Sequence, residues 1–186
     1  MKKIALEITG EDYMPYFTET VLFHNDLVPS LRELHLMLMQ EEKDFKKEEM
    51  FLLIIEQLIS EYDHVLDAKS QQKSNSEIKS VCDFFESSYM KNITLNELSD
   101  LTGLSKYYLV RSFTKQKGIS PYSYLETIRI GKAKKFLEQG IMPVDVALQT
   151  GFTDQSHFTN FFKKLIGLTP KQYMNIFIGE WRKEND

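Results

Sequence analysis

The chain is predicted to be all-α, and three observations predict it. Apolar residues recur at helical spacing along most of the sequence, as at Leu27, Leu31, Leu34 and Leu38. Helix starts and stops are marked by capping residues and glycines, as in "TLNE" at 94–97 followed by Gly103. An internal repeat pairs Leu109 with Phe158, Phe113 with Phe162, Gly118 with Gly167 and Pro121 with Pro170, each pair 49 positions apart. Each copy holds a short helix, a glycine turn and a second helix, so the expected architecture is two helix-turn-helix subdomains joined by a central helix. An antiparallel helical linker pair and one short N-terminal strand are expected before them.

Composition bounds the class. The 186 residues, 42% of them hydrophobic, suffice for one ordinary domain or two small ones. A single cysteine, Cys82, leaves no internal disulfide; with no N-terminal apolar segment of signal-peptide length, it argues for a reducing, cytoplasmic setting. No stretch approaches the roughly 20 apolar residues of a membrane span. The net charge of -4 conceals an asymmetry: residues 1–75 carry 8 Lys+Arg against 15 Asp+Glu (-7), and residues 76–186 carry 15 against 12 (+3). An acidic half joined to a basic module is a hint, weak alone, of a nucleic-acid partner.

The elements follow in order. "IALEI" at 4–8 alternates apolar and polar residues and reads as the one strand. After Asp26 the leucine spacing gives a first helix, and "FLLIIEQLISEY" at 51–62 a second, with the charged run "QEEKDFKKEE" between them. Their leftover Leu/Ile stripe has two readings of equal weight, a homodimer seam through residues 26–65 or packing on the rest of the chain. "DAKSQQKSNSE" at 67–77 is small, polar and aperiodic, a flexible linker. Ser76 can cap a helix with Ile78, Val81, Phe85 and Tyr89 inward, beside which Cys82 reads as a packed residue rather than a nucleophile. In the first repeat Thr94 and Glu97 form a capping box, Gly103 turns the chain and Ser105 caps a helix over 106–117. In the second, Pro143 opens the short helix, Gly151 turns and Thr153 caps a helix over 154–165. Ser99 and Ala147, four places before the turn glycines, are small where two helices cross. Between the copies Ser120-Pro121 starts a central helix reaching Glu138, about 27 Å long at about 1.5 Å per residue.

The second helix of each unit divides into an inward and an outward side. Phe158, Phe161, Phe162 and Leu165 share an inward arc, leaving Gln155, Ser156, Thr159 and Asn160 outward. Leu109 and Phe113 turn inward in the first copy, leaving Lys106, Tyr107, Val110, Arg111 and Thr114 outward. These outward types suit base edges: Asn and Gln bond adenine at two points, Arg bonds guanine likewise, and Val or a Thr methyl touches the thymine methyl.

The duplicated pattern "LTGLSKYYLVRSFTKQKGISPYSYL" and "TGFTDQSHFTNFFKKLIGLTPKQY" resembles the DNA-binding domain of the AraC/XylS family of bacterial transcription regulators, over about residues 78–177. The resemblance implies a seven-helix module that binds double-stranded promoter DNA, activates or represses transcription and, as an activator, works with RNA polymerase. It implies helix-turn-helix units at 95–116 and 143–166 whose helices 106–117 and 154–165 enter successive major grooves. By position in the motif, the family's base-facing sites fall on Tyr107, Val110 and Arg111, and on Gln155, Ser156, Thr159 and Asn160. Residues 13–66 are similar to the helical linker that often mediates dimerisation in the family. The usual effector barrel is represented at most by residues 1–12, whose strand at 4–8 matches a barrel's last.

Other function classes find less support. An interaction adaptor, in which the acidic half binds a partner and the helix-turn-helix units do not read DNA, is the alternative. An enzyme is not expected: His24, His35, His64 and His157 are scattered, and no Gly-rich phosphate loop follows a strand. No cofactor is expected, and no Cys/His cluster has metal-ligand spacing.

Overall fold

The structure, a computed structural model, describes residue 6 and residues 27–39, 44–62 and 74–184. Apart from Leu6, the strand expected over 4–8 lies outside the described residues, as do linker positions 67–73. The described segments are helical, in the order α1 (Leu27–Met39), α2 (Asp44–Tyr62), α3 (Ser74–Ser88), α4 (Leu95–Thr102), α5 (Lys106–Lys117), α6 (Pro121–Glu138), α7 (Pro143–Gln149), α8 (Gln155–Ile166) and α9 (Pro170–Glu184). This is the expected all-α class. The chain groups into two compact units, Met1–Cys82 with Ile93–Tyr122, and Asp83–Asn92 with Ser123–Asp186.

In the first unit α1 packs on α2, tied by Lys46 to Glu33 at 3.9 Å. The buried side of α1 runs through Leu27, Leu34 and Met37, whereas Leu31 and Leu38 are 47% and 63% exposed. The helix is therefore rotated from the expected leucine stripe, which Met37 permits by supplying an equally apolar seam. α2 packs in turn on α4 and α5. It buries Phe45, Leu52, Ile54, Ile55 and one acid, Glu49. Both Glu49 carboxylate oxygens accept from the Tyr122 backbone N–H, at 3.1 and 3.2 Å, and the Phe45 ring meets Tyr122 edge-on at 5.4 Å. A buried carboxylate is tolerable here because the first turn of α6 offers unsatisfied amides and the positive end of its dipole.

The caps of the first repeat form as expected. Thr94 Oγ1 accepts from the Glu97 amide at 3.2 Å and Glu97 Oε2 accepts from the Thr94 amide at 2.8 Å. Gly103, at φ +69°, ends α4, and Ser105 caps α5 by accepting from the Tyr108 amide at 3.3 Å. Ser99 is small where the helices cross and also donates to the Leu104 carbonyl at 2.5 Å, which holds the turn. One start differs. α3 begins at Ser74, two residues before the expected Ser76 cap, so positions 74–77 are helix rather than linker.

The second unit is built on an aromatic ladder. Phe152 to Phe158, Phe158 to Phe162, Phe162 to Tyr173 and Tyr173 to Phe177 stand at 5.1, 5.6, 5.5 and 5.1 Å between ring centroids. Ile130, Ala133, Leu137, Val146, Ala147 and Met174 complete the core. Two expectations need correction. The cap of α8 is Asp154, not Thr153: its carboxylate accepts from the His157 amide at 2.7 Å. Asp154 lies 49 residues after Ser105, so the caps obey the repeat while Gly103 and Gly151 are 48 apart; the second turn is one residue longer. Leu165, placed inward from the sequence, is 50% exposed; in the last turn of α8 it is Ile166 that packs against the core. Arg129, fully buried, donates from Nε to the Tyr89 carbonyl at 2.8 Å and from Nη2 to that of Lys91 at 2.9 Å, satisfying backbone acceptors just past the end of α3.

Candidate nucleic-acid interface

α8 presents the face its sequence predicts. Phe158 and Phe162 are fully buried, Phe161 packs partly on the same core, and Gln155, Ser156 and Asn160 are exposed with Thr159 half-buried. The split follows from the 3.6-residue period, which sets 158 and 162 opposite 156 and 160. Asp154 fixes the start of the helix and Gly167, at φ +85°, its end. Lys163 and Lys164 in the last turn are exposed, where they complement the negative end of the helix dipole. His157 does not join this face. Its Nε2 lies 3.4 Å from Oε1 of Glu126, an acid 2% exposed on α6, and its ring packs edge-on to Phe152 at 5.6 Å. These contacts give His157 a packing role rather than a place on the outward face.

The first face is corrected by the structure. Leu109 and Phe113 are fully buried as expected, but Tyr107 and Val110, expected outward, are only 3% and 1% exposed. The cause is α2, which lies over this side of α5. Lys106 Nζ stands 2.5 Å from Glu48 Oε1, and Arg111 Nε 3.3 Å from Glu56 Oε1. Thr114 Oγ1 is buried without a hydrogen-bond partner, and the buried Tyr107 hydroxyl lies beside Glu56 and Arg111. Burial pushes the Tyr107 phenol up to about 12, helped by the negative charge of Glu56 and opposed by Arg111. The structure thus brings Lys106, Tyr107, Val110 and Arg111 together on one side of α5, as the sequence implied, and covers that side.

Sequence reasoning missed the covering residues. The signal available was charge complementarity: α2 carries Asp44, Glu48, Glu49, Glu56 and Glu61 against Lys46 and Lys47, and α5 carries Lys106, Arg111, Lys115 and Lys117 with no acid. The buried Glu126 and the buried Arg129 were also missed, since charged residues inside a helical pattern read as solvent-facing. Among the described residues no group of three or more His, Cys, Asp or Glu side chains could hold a metal ion, and no helix is long and apolar enough to cross a membrane.

Comparisons with known proteins bear on this geometry. A family model for a helix-turn-helix domain matches residues 98–176. The uncharacterized HTH-type transcriptional regulator YbfI of Bacillus subtilis is 56% identical over 157 residues, 84% of this chain; the chain spans only 57% of that relative's length. Among solved structures, the C-terminal domain of the two-component response regulator yesN from Fusobacterium nucleatum is 35% identical, with a TM-score of 0.51 over 54% of this chain and 99% of that one. A probable AraC family transcriptional regulator from Rhodopseudomonas palustris, 24% identical, shares the fold with a TM-score of 0.52 over 55% of this chain and 98% of its own. The duplicated helix-turn-helix units and these likenesses agree: over residues 98–176 the chain carries a helix-turn-helix domain of the AraC type.

Proposed function

We propose that the chain is a sequence-specific, double-stranded DNA-binding regulator of transcription that sets α5 and α8 into successive major grooves of a promoter. The observation that carries this reading is the divided face of α8, with Phe158 and Phe162 fully buried beneath exposed Gln155, Ser156 and Asn160. A core that fixes the helix and leaves amides free is what direct readout needs. Base contacts are assigned to Gln155, Ser156, Thr159 and Asn160 on α8, and to Lys106, Tyr107, Val110 and Arg111 on α5. The protein acts in the bacterial cytoplasm, and as an activator it engages RNA polymerase. Val28, Leu31 and Leu38 share one side of α1 at 61%, 47% and 63% exposure, which supports a homodimer through residues 26–65.

Fluorescence anisotropy against duplexes from the chain's own upstream region tests the proposal. Specific binding should weaken with salt at a log–log slope of about -0.9 per neutralised phosphate. Asn160→Ala should lose base preference at one position, by about 1–3 kcal/mol, while Lys164→Ala weakens every sequence alike. Binding indifferent to both sequence and salt would rule the reading out.

A further inference from the structure

We propose that α2 is a tethered competitor for DNA: it occupies the base-reading side of α5 and holds the first helix-turn-helix unit shut until the α1–α2 pair is displaced. This rests on the reading of α5 as a recognition helix. With Tyr107 at 3% and Val110 at 1% exposure, neither side chain is open to a groove while α2 is in place, so α2 and a duplex compete for this side.

The chemistry of the cover matches that of the ligand it excludes. Glu48 faces Lys106 at 2.5 Å and Glu56 faces Arg111 at 3.3 Å, so carboxylate oxygens stand where phosphate or guanine acceptors would. Between Glu48 and Glu56, Leu52 and Ile55 are buried and give α2 an apolar strip, an anchor that the groove of a duplex cannot match.

The cover is also suited to release. All four ion-paired side chains keep between 27% and 37% of their surface exposed, so the pairs are partly solvated and open to screening. Thr114 Oγ1, further along α5 from Tyr107, lies buried without a partner. A permanent core seldom leaves such an atom unsatisfied, whereas a wet protein–DNA interface would hydrate or bond it. The equivalent polar residues of α8 carry no such burden: Gln155, Ser156 and Asn160 stand exposed.

The test uses the full chain with Glu48→Gln and Glu56→Gln together. As a control of equal charge, Glu33→Gln with Asp44→Asn removes two carboxylates that face Lys46 and Lys47 instead of α5. Two readouts are taken. Nitration of Tyr107 by tetranitromethane, located by peptide mass mapping, reports the cover without DNA; anisotropy reports affinity for a promoter duplex. The inference expects faster Tyr107 nitration and duplex binding tighter by about two- to thirtyfold in the first variant, the range that two such ion pairs supply, with neither change in the control. Unchanged nitration, or affinity rising equally in the control, would overturn it. So would a newly reactive Tyr107 with unchanged specific affinity. If Tyr107 opens but neither protein distinguishes one duplex from another, the reading of α5 as a DNA reader fails, and competition with DNA fails with it.

Discussion

Gly151→Ala places a methyl where the second helix-turn-helix unit has no room. Gly151 sits at φ +80°, and a Cβ there would lie 2.7 Å from the Tyr89 carbonyl oxygen and 2.9 Å from that of Met90. Both neighbours are backbone, so neither can swing aside as a flexible side chain would. Gly103, the turn glycine of the first unit, supplies the control: its φ is +69° and nothing lies within 4 Å of its Cβ position. Gly103→Ala should therefore cost only the left-handed penalty, about 1–2 kcal/mol. Gly151→Ala adds an overpacking term of about 1–3 kcal/mol, for a total of about 2–5 kcal/mol. Urea unfolding followed by circular dichroism gives both values under one set of conditions. Equal destabilisation by the two variants would refute the reasoning, because the close approach to residues 89 and 90 would then contribute nothing.

Two further outcomes separate packing from recognition and locate the cover. Phe158→Ala should cost about 3–5 kcal/mol in the same unfolding assay, because its ring is fully buried between Phe152 and Phe162; Asn160→Ala, at an exposed site, should stay within about 0.5 kcal/mol. In an alkaline absorbance titration Tyr107 should ionise near 12 rather than near the usual 10, and Glu56→Gln should bring it down by removing a nearby negative charge. With the folded value raised above the unfolded one, the stability Tyr107 contributes is fully present below pH about 10 and is lost as pH rises towards about 12. A Tyr107 that titrates normally would place it outside the contact with α2.

Much of the fold was legible in the sequence because it is specified locally. The capping box at Thr94 and Glu97, the stop at Gly103 and the cap at Ser105 are each decided within a few residues, and all three form. The inward Phe158 and Phe162 follow from helical period alone. Where several local solutions existed, the sequence left the choice open. Thr153 and Asp154 are both able to cap, and only the 49-residue register points to the acid that does. α1 has apolar residues on more than one side, so its rotation was settled by what α2 offered rather than by its own pattern. The cover over Tyr107 and Val110 is least legible of all. A polar or mixed helix face looks the same in sequence whether it meets water, DNA or another part of its own chain, and the covering residues lie some 50 to 60 positions upstream, as with Lys106 and Glu48 at a separation of 58.

Hydroxyl-radical footprinting of the chain on its own upstream duplex tests the central claim most directly. Two readers on one chain predict two protected patches on the same side of the duplex, about 10–10.5 base pairs apart centre to centre. The patch assigned to α8 should be lost with Asn160→Ala and Gln155→Ala together. A single patch untouched by changes on α8, or uniform protection along any sequence offered, would contradict the account.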